Sequence, residues 1–499
     1  MIILPEQVNK AIEMLEAEGY DAYIAGGCVR ELLVGEGVPD FDIATNAGIN
    51  DILYTFRDYR ISDEGKSRGE ILVTIAGVII QIAPYRKGVV GNRVFYAETL
   101  EEDLFCRGFS VDAMAYSPKD GLIDPFGGHL CMSEDKKLLV AVGENTTRTV
   151  KVNGKKTTEE FYDMSRCFTD KPSRILEAVR RCAEEDYSIE ENTRLAIMEN
   201  IECFSYAEKE LVRRELTRIV TGRYVTKALI ENHDILSAVI PEILPCVGLE
   251  QRSPHHEFTV WEHIARATGF VQPEPVLRFA MLFHDIGKPD AMFIDFTGRG
   301  HFRGHAERSR LLAEGIMRRL EFDTEISEEI SRLIYRHDMD IPEDKKQLKA
   351  LMRSFGAQEL KKLLLCEIAD NRAKHENTEC EPVPTLRRAL AALNEIIDSD
   401  ECYDIRSLAV TKRDLMERRL VRNEREAEEL LNVLFEIVLD KPSFNNKLML
   451  LDMAERSKSK LEQIAAERER KLAEEQRRRE ELMQKQAKKG LFSRKDKRR

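Results

Sequence analysis

Residues 23–45 read YIAGGCVRELLVGEGVPDFDIAT, and this stretch decides the fold of the N-terminal region. A β-rich run enters the pair Gly26-Gly27 and a helix begins almost at once. Backbone N–H groups and Arg30 in the first helical turn can therefore face an anionic group such as a triphosphate. After a further turn, Asp40 and Asp42 stand two residues apart in a predicted strand. Because side chains at i and i+2 point to one face, both carboxylates can hold one or two Mg²⁺ ions beside the phosphates.

A metal held by two such carboxylates suits phosphoryl or nucleotidyl transfer. It can activate a terminal hydroxyl and neutralise charge on a leaving pyrophosphate. An isolated D-x-D is more often a pair of solvated turn carboxylates, and the glycine turn that precedes it here is what favours the catalytic interpretation.

The composition sets the scale of the remaining chain. At roughly 100 to 200 residues per domain, the 499 residues predict about three to four domains. Hydrophobic residues make up 42% of the chain, enough to form hydrophobic cores. The net charge of −12 argues against a generally basic surface of the kind that binds nucleic acid non-specifically. Ten cysteines without a C-x-x-C pair indicate reduced thiols and a cytoplasmic location. The most apolar stretch, residues 71–83, is too short to span a bilayer, so no membrane association is expected.

The pattern of elements changes once along the chain. From residue 5 to about 130, helical segments alternate with short β-rich runs, and two of these runs meet at Gly77 in a predicted hairpin. Beyond about residue 160 the periodicity is helical almost throughout, and the polar segment 144–158 is predicted to be an inserted loop or hairpin. The expected fold class is α+β, with a small mixed-sheet head followed by an elongated, mostly α-helical body.

Histidine and aspartate residues are spaced through one helical block between residues 255 and 375. Neutral imidazoles and carboxylates are ligands of catalytic divalent metals, and a His-Asp pair can bridge or orient ligands in a helical bundle. One helical histidine is usually structural, but several of them, with a His-Asp-Ile-Gly-Lys run at a helix end, favour a metal site. The candidate ligands are His263, His284, Asp285, His305, His337 and Asp370.

The motifs of the N-terminal half resemble those of the class II nucleotidyltransferases, the family that includes tRNA CCA-adding enzymes and bacterial poly(A) polymerases. The family pattern G-G-x-V-R-D-x-L-L-G, followed by D-x-D and T, is similar to residues 26–35 with Asp40, Asp42 and Thr45. Its R-R-D-F-T-x-N-A-[LM]-A-Y and D-P-F-G-G are similar to CRGFSVDAMAY at 106–116 and DPFGG at 124–128. Its E-D-P-x-R-x-L-R-A-x-R-F is similar to DKPSRILEAVRR at 170–181, and the likeness continues to about residue 455.

The resemblance implies a template-independent enzyme that adds CMP or AMP, from CTP and ATP, to the 3′ end of RNA, with tRNA as the expected acceptor. By the same resemblance, Asp40 and Asp42 are the catalytic residues and bind Mg²⁺. The residues expected to contact the nucleotide are Gly26, Gly27, Arg30 and Arg107 at the triphosphate, and Arg174 at the Watson–Crick edge of the base.

The chain departs from that family pattern at several positions. Gln81 falls where an acidic residue often follows the second strand of the hairpin, and Cys106 and Gly108 replace the outer members of R-R-D. Glu31 stands where the family has Asp, and Lys171 occupies the position of the Asp that pairs with the base-reading arginine. A lysine has three donors and no acceptor, so it cannot accept a hydrogen bond from an exocyclic amino group. The sequence leaves open a nucleotide choice different from the family's, or its loss.

The histidine and aspartate series resembles that of the HD superfamily of metal-dependent phosphohydrolases, whose H…HD…H…H…D order matches the six candidate ligands. This resemblance implies a divalent metal that activates water for attack on a phosphoester, with Lys288 close enough to hold a phosphate. The remaining histidines of the block are predicted to have no specific role; they are His255, His256 and His301.

Both resemblances together predict the domain boundaries. A nucleotidyltransferase head at 1–140 and an inserted loop at 141–160 precede a helical neck and body at 161–250 that binds nucleotide and RNA. An HD domain follows at 251–375, then a helical, tRNA-binding-like region at 376–455 and a charged helix with a basic tail at 456–499. No stable protein partner is expected.

Three functional hypotheses follow from the sequence. The first is a working nucleotidyltransferase that extends RNA and carries an associated HD phosphohydrolase activity. The second is an HD phosphohydrolase whose degenerate head serves only to bind RNA or nucleotide. The third, a non-enzymatic RNA-binding protein, is disfavoured because a buried cluster of metal ligands is costly to keep without a function.

Overall fold

The computed structural model describes residues 2–35, 37, 40–62, 65, 69–90, 93–133, 136–152, 155–379 and 381–456. The chain divides into two compact units, each with its own packing. The first comprises residues up to 339 together with 365–380, and the second comprises 340–364 with the chain from 381 onward. The predicted charged tail lies, beyond residue 456, outside the described residues.

Strands are concentrated in the N-terminal part of the chain. They are β1 (Ala22–Ala25), β2 (Phe41–Thr45), β3 (Arg60–Ser62), β4 (Ile71–Ile75), β5 (Val78–Pro84), β6 (Arg86–Val90), β7 (Arg93–Tyr96), β8 (Ala115–Ser117), β9 (Gly121–Ile123), β10 (Met132–Ser133), β11 (Lys136–Leu139), β12 (Glu144–Val152), β13 (Lys155–Asp163), β14 (Ser188–Ile189), β15 (Phe293–Ile294) and β16 (Gly300–His301).

Four helices accompany the head and sixteen follow along the rest of the described chain. They are α1 (Glu6–Ala17), α2 (Gly27–Val34), α3 (Ile49–Thr55), α4 (Leu100–Phe105), α5 (Ser165–Thr169), α6 (Arg174–Glu185), α7 (Glu191–Glu199), α8 (Lys209–Thr221), α9 (Val225–Glu231), α10 (His233–Ser237), α11 (Val260–Phe270), α12 (Pro275–Phe283), α13 (Lys288–Ala291), α14 (His305–Arg319), α15 (Thr324–Arg336), α16 (Lys345–Phe355), α17 (Ala357–Arg372), α18 (Val383–Asp398), α19 (Lys412–Glu417) and α20 (Glu424–Asp440).

A seven-stranded mixed sheet forms the head, in the order β3-β4-β5-β2-β1-β8-β9. The hairpin predicted at Gly77 is confirmed, because β4 and β5 pair antiparallel up to Ile75 and Val78. Ala76 and Gly77 between them have φ of 45° and 86°, the left-handed conformations of a tight hairpin turn. Strand β2 lies between β1 and β5, antiparallel to the first and parallel to the second.

The alternation along β2 explains where its carboxylate points. Phe41 and Ile43 are buried in the main head core, where they join residues of α1 such as Ile12 and Leu15. Since successive side chains of a strand alternate between faces, Asp42 projects from the opposite face of the sheet. A smaller apolar cluster that includes Ala44 and Leu104 covers part of that face. The sheet therefore presents Asp42 on the side away from its main core.

The segment predicted as an inserted loop or hairpin contains a two-stranded ladder. Strands β12 and β13 pair antiparallel from Glu144 opposite Asp163 to Val152 opposite Lys155. It joins the sheet region to the helices that begin at α5. The domain boundaries proposed on either side of it stay predictions.

The rest of the first unit is helical, as the periodicity predicted. The neck helix α6 packs against α8 and α9, and α11 packs against α9 and α12. Helices α12, α14 and α15 pack against one another further along the chain. The α+β fold class, with a mixed-sheet head and a helical body, is confirmed.

The second unit has a core of its own. Leu430, Leu434 and Val438 lie on one face of α20 and are buried with Leu415 of α19 and Leu450.

Within the described part of the chain, no helix combines the length and the apolar composition that a membrane crossing requires.

Candidate nucleotide and metal sites

The glycine turn of the head is shaped by an arginine that lies against it. Gly26 directly precedes α2 and has φ of 90° and ψ of −139°, a backbone conformation that only glycine adopts without strain. A Cβ at this position would lie 2.5 Å from Nη1 of Arg107. The structure thus brings together Gly26 and Arg107, which the sequence assigned to one triphosphate site.

Arg107 is held in place by a buried carboxylate that the sequence analysis did not single out. Its Nε and Nη2 both lie 2.8 Å from Oδ2 of Asp103, one helical turn earlier on α4. Oδ1 of Asp103 accepts a hydrogen bond from the backbone N–H of Arg86 at 2.8 Å. Burial opposes the charge on Arg107, but Asp103 and Asp42 outweigh it and raise the pKa of the guanidinium. Asp103 therefore fixes a charged guanidinium beside the turn.

Asp42 lies beside two arginines and two further carboxylates. Burial raises the pKa of Asp42, Arg107 and Arg86 oppose that rise, and Glu70 and Asp40 add to it. A half-buried carboxylate with acidic neighbours is a position that a cation stabilises. The exposed Asp40 precedes β2 by one residue, so both predicted magnesium ligands lie at the same end of this strand.

The acidic position that the family pattern places in the second hairpin strand is filled by an amide. Gln81 of β5 stands directly opposite Asp42 in the parallel register of β2 and β5. Glu70, at the start of β4, is only 5% exposed and its Oε2 lies 3.3 Å from Nη1 of Arg86. A sequence signal for the pair of Glu70 and Arg86 existed in the predicted hairpin. Its register places Glu70, the residue before β4, next to the end of β5.

Arg30 is committed to carboxylates rather than to the anion site predicted for it. Its guanidinium makes a close ion pair with Asp112 and lies 3.5 Å from Glu31 and 3.7 Å from Glu185. Arg181 of α6 also pairs with Asp112 and, at 2.5 Å, with Glu185. This network ties α2 of the head to α6 of the neck.

Gly27 has a different neighbour from Gly26. A Cβ at Gly27 would lie 3.5 Å from Nη2 of Arg30, so the arginine folds back over the first turn of α2. Desolvation and the nearby Arg181 both lower the pKa of Arg30. The four predicted triphosphate contacts thus form two neighbouring pairs: Gly26 lies against Arg107, and Gly27 lies against Arg30.

Arg174, predicted to read the base, is 8% exposed and donates to main-chain carbonyls. Nη1 lies 3.1 Å from the carbonyl oxygen of Cys167, and Nη2 donates to that of Cys106. Its Nε would lie 2.4 Å from a Cβ on Gly108, where φ is 94°. The glycine that replaces the last residue of R-R-D thus makes the room into which this arginine packs.

Lys171, at the position that departs most from the base-reading motif, is exposed and pairs with Glu177 of α6. The distance from its Nζ to Oε2 of Glu177 is 3.6 Å. Burial would raise the pKa of Glu177, but Lys171 and neighbouring arginines outweigh burial and lower it. Neither a lysine nor an arginine side chain has an acceptor to offer a base, and in this structure Lys171 faces Glu177 while Arg174 faces backbone carbonyls.

The histidine and aspartate residues of the helical block converge on one buried centre. His263 lies on α11, His284 and His337 end α12 and α15, His305 begins α14, and Asp370 lies near the end of α17. Two groups of ligand atoms form, each with all its atoms within 4.8 Å of one another. They are His263, His284, Asp285 and Asp370, and Asp285, His305 and His337.

Asp285 is shared by both groups and bridges them. Its Oδ2 lies 3.2 Å from Nε2 of His263 and 3.1 Å from Nε2 of His284. Its Oδ1 lies 3.2 Å from Nε2 of His305 and 3.7 Å from Nε2 of His337. Among the described residues, neither of the two ligand groups includes Asp40 or Asp42.

The orientation of the imidazoles fits a metal. Nδ1 of His284, His305 and His337 lies 2.7 to 2.8 Å from a backbone carbonyl oxygen one turn earlier. An Nδ1–H that donates to a carbonyl leaves the lone pair of Nε2 directed at the centre, which is how metal-binding histidines are held. Burial opposes a charge on His284, but Asp285 and Asp370 raise its pKa to about 9. Asp285 and Asp370 thus favour positive charge at the imidazole nitrogens of this centre, and a divalent cation would supply such a charge.

Two lysines lie against the carboxylates of this centre. Nζ of Lys288 lies 2.6 Å from Oδ2 of Asp285 and 2.8 Å from Oε1 of Gln251. Nζ of Lys374 lies 2.7 Å from Oδ2 of Asp370. Both lysines line a cavity of about 280 Å³ beside the ligands. Lys288 lies close to the candidate ligands, as the resemblance implied. Lys374, two residues beyond the end of α17, was missed because only its spacing of four from Asp370 indicated it.

Two of the histidines to which no role was assigned lie at this cavity. The His256 ring is 5.3 Å from that of His263, and burial lowers its pKa to about 2. His301 also lines the cavity, and its Nε2 lies 2.7 Å from Oδ2 of Asp295. Neither residue belongs to the two groups of candidate ligand atoms.

Two known domain families match separate parts of the chain. The Poly A polymerase head domain matches residues 22–138, and the HD domain matches residues 255–374. The first match contains the glycine turn with Asp40, Asp42 and Arg107, and the second contains all six candidate ligands of the helical block.

Relatives with curated names agree with these matches. A protein of Geobacillus kaustophilus named CCA-adding enzyme is 28% identical over 230 residues, which cover 45% of this chain and 51% of the relative. A protein of Thermus thermophilus named CC-adding tRNA nucleotidyltransferase is 29% identical over 351 residues, 66% of this chain and 71% of that one. The chain thus matches about half the length of the first relative.

Solved structures share the fold. The CCA-adding enzyme of Bacillus stearothermophilus in complex with CTP superimposes with a TM-score of 0.61 over 92% of this chain and 100% of that one. At 21% identity this likeness concerns the fold alone. Taken together, the matches show that the chain carries a Poly A polymerase head domain and an HD domain and shares the fold of a CCA-adding enzyme.

Proposed function

We propose that this protein is a template-independent nucleotidyltransferase that adds CMP and AMP to the 3′ end of RNA, with tRNA as the acceptor. One observation carries the proposal: Asp42 projects from β2, which pairs with β1, and β1 leads directly into the Gly26 turn against which Arg107 packs. A carboxylate for a cation and a fixed guanidinium for phosphate are thereby adjacent. The names of the relatives support the proposal.

Each head residue has a proposed part in this reaction. Asp40 and Asp42 hold Mg²⁺, which, when bound, favours loss of the proton from the attacking 3′ hydroxyl and offsets charge on the departing pyrophosphate. Arg107, oriented by Asp103, holds the triphosphate, and the backbone at Gly26 leaves room for that guanidinium. Arg86 adds a second cation near Asp42, with Glu70 fixing its position.

Arg30 takes a different part from the one that the resemblance implied. Its carboxylate partners on the head and on α6 indicate that it joins head and neck. Such a junction matters to catalysis because nucleotide and RNA must be held in a fixed relation to the metal ligands.

A second activity, phosphoester hydrolysis, is proposed for the helical centre. The six candidate ligands, five of them buried and His305 half-buried, favour it, with Asp285 shared between two groups. A divalent metal supplies Lewis acidity and activates water there when bound. The chain's own contribution is to orient the ligands through backbone carbonyls and to hold the phosphate with Lys288 and Lys374. The alternative function is an HD hydrolase with an inactive head. It includes the same phosphoester hydrolysis but no nucleotidyl transfer.

Two single substitutions separate these possibilities. With purified full-length protein, Asp42→Ala abolishes extension of an RNA with a free 3′ hydroxyl in Mg²⁺ and leaves hydrolysis of a nitrophenyl phosphate ester unchanged. Asp285→Ala does the reverse. The matched controls are Asp58→Ala and Asp290→Ala, since both residues are exposed aspartates outside the two sites. Wild-type protein that hydrolyses the ester and extends no RNA would establish the alternative function.

A further inference from the structure

A second concave site lies on the head, next to the segment that carries Arg107. It is a cavity of about 780 Å³, within the size range of small-molecule pockets. Cys106 lines it, and Cys106 directly precedes Arg107 in the chain. The other side chains that matter here are Phe105, Phe126, Glu144, Asn145, Tyr162 and Arg166.

The walls of the cavity are aromatic. The ring centroids of Phe105 and Phe126 are 6.2 Å apart, and the guanidinium of Arg166 lies over the Phe105 ring at 5.1 Å. Tyr162 of β13 is 42% exposed and lines the same space. Aromatic rings and arginine planes are the groups on which nucleobases stack, whatever the base.

The polar groups favour a nucleoside over a phosphate. Glu144 and Asn145 enter from the first two residues of β12, and Arg166 lies 3.7 Å from Glu144. A side-chain amide offers both donors and an acceptor, as the edge of a base requires, and carboxylates accept from amino and hydroxyl groups. The charged lining side chains are three glutamates, one lysine and one arginine, a balance unfavourable to a triphosphate.

The position of Arg174 bears on the role of this cavity. Arg174 donates from Nη1 to the carbonyl of Cys167 and from Nη2 to that of Cys106, so both ends of its guanidinium are bonded to the protein's own backbone. The Cys106 carbonyl that it holds belongs to a residue lining the cavity. Arg174 thus supports the wall of the cavity, while groups able to bond a base lie inside it.

We propose that this cavity binds the nucleoside part of a nucleotide, with Asn145 and Glu144 of the β12–β13 hairpin and Arg166 of α5 setting the base preference. The proposal rests on the proposed nucleotidyl transfer and names its specificity residues. The nucleoside comes either from the incoming triphosphate or from the 3′-terminal residue of the acceptor RNA, since both present the same chemistry. The hairpin, which the sequence predicted as an inserted segment, thereby becomes part of the substrate site.

The test uses the full-length protein and the variants Arg166→Gln and Asn145→Ala, both at exposed positions. Arg299→Gln and Asn192→Ala are the matched controls, because both are exposed and neither lines the cavity. Calorimetry compares binding of CTP, ATP and inorganic triphosphate, and steady-state extension assays give KM for the triphosphate and for the RNA. Each cavity variant is expected to raise one of these two KM values about tenfold, as loss of one base contact does.

The two KM values identify the source of the nucleoside. A raised KM for CTP or ATP, with unchanged affinity for inorganic triphosphate, assigns the cavity to the incoming nucleotide, and a raised KM for RNA alone assigns it to the acceptor. Wild-type kinetics in both cavity variants would overturn the inference while leaving the proposed function intact. A wild-type protein that neither binds nucleotides nor extends RNA would instead remove the proposed function.

Discussion

Replacement of Gly108 by alanine tests how the structure places Arg174. The new Cβ would lie 2.4 Å from Nε of Arg174, so the guanidinium must move by about 1 Å to reach an ordinary contact of 3.4 Å. That movement breaks at least one of its bonds to the Cys106 and Cys167 carbonyls. A hydrogen bond with a charged donor contributes about 1.5–3 kcal/mol. The left-handed backbone of Gly108 adds about 1–2 kcal/mol for an L-residue.

Gly19→Ala is the control that separates these two contributions. Gly19 has φ of 88°, close to the 94° of Gly108, and nothing lies within 4 Å of a Cβ placed on it. Both substitutions therefore carry the backbone cost, and only Gly108→Ala displaces Arg174. The expected loss in the free energy of unfolding is about 1–2 kcal/mol for Gly19→Ala and about 2.5–5 kcal/mol for Gly108→Ala.

Urea unfolding of both variants, followed by circular dichroism, measures the difference. Both glycines belong to the first unit, so the same transition reports on each. The reasoning predicts that Gly108→Ala moves the midpoint to lower urea by more than Gly19→Ala does. Equal shifts would refute the claim that Arg174 is packed into the space left by Gly108.

Three further predictions follow from the sites. Asp103→Asn removes the charge that orients Arg107, so KM for the nucleoside triphosphate should rise about tenfold in extension assays, and an unchanged KM would contradict the role given to Asp103. Arg30→Gln should lower the thermal midpoint, because it leaves the half-buried Asp112 with one cation fewer. It should leave the affinity for inorganic triphosphate unchanged in calorimetry, and a lost affinity would restore Arg30 to the anion site. Removal of divalent metal by a chelator should lower the thermal midpoint of the wild type by more than that of Asp285→Ala, which keeps only the head site, and identical responses would argue against a metal at the helical centre.

The sequence predicted the elements of this protein that depend on local pattern. The strand, glycine turn, helix and second strand of residues 22–45 follow from alternation and from glycines at the turn, and the structure has them in that order. The hairpin at Gly77 follows from the same kind of signal. The six His and Asp residues of the helical block were recognised by their types and order, and the structure brings all six to one centre.

The sequence could not predict which partner each charged side chain takes. Arg30 was expected at a triphosphate, yet it pairs with Asp112, 82 residues away in the chain. Arg174 was expected at a base, yet it bonds to Cys106 across 68 residues. Such choices depend on which segments pack together and on where a missing side chain, as at Gly108, leaves space. Asp103 and Glu70 were missed for the same reason, since only the packed fold shows that they orient Arg107 and Arg86.

The measurement that tests the central claim most directly is extension of a tRNA that lacks its 3′ CCA. Full-length protein and Mg²⁺ are incubated with each labelled nucleoside triphosphate in turn, and the products are resolved at single-nucleotide length. The account predicts addition of C and then A by the wild type, and none by Asp42→Ala. Failure of the wild type to add any nucleotide, in a preparation that still hydrolyses phosphate esters, would contradict it and leave the head as a binding module for the HD domain.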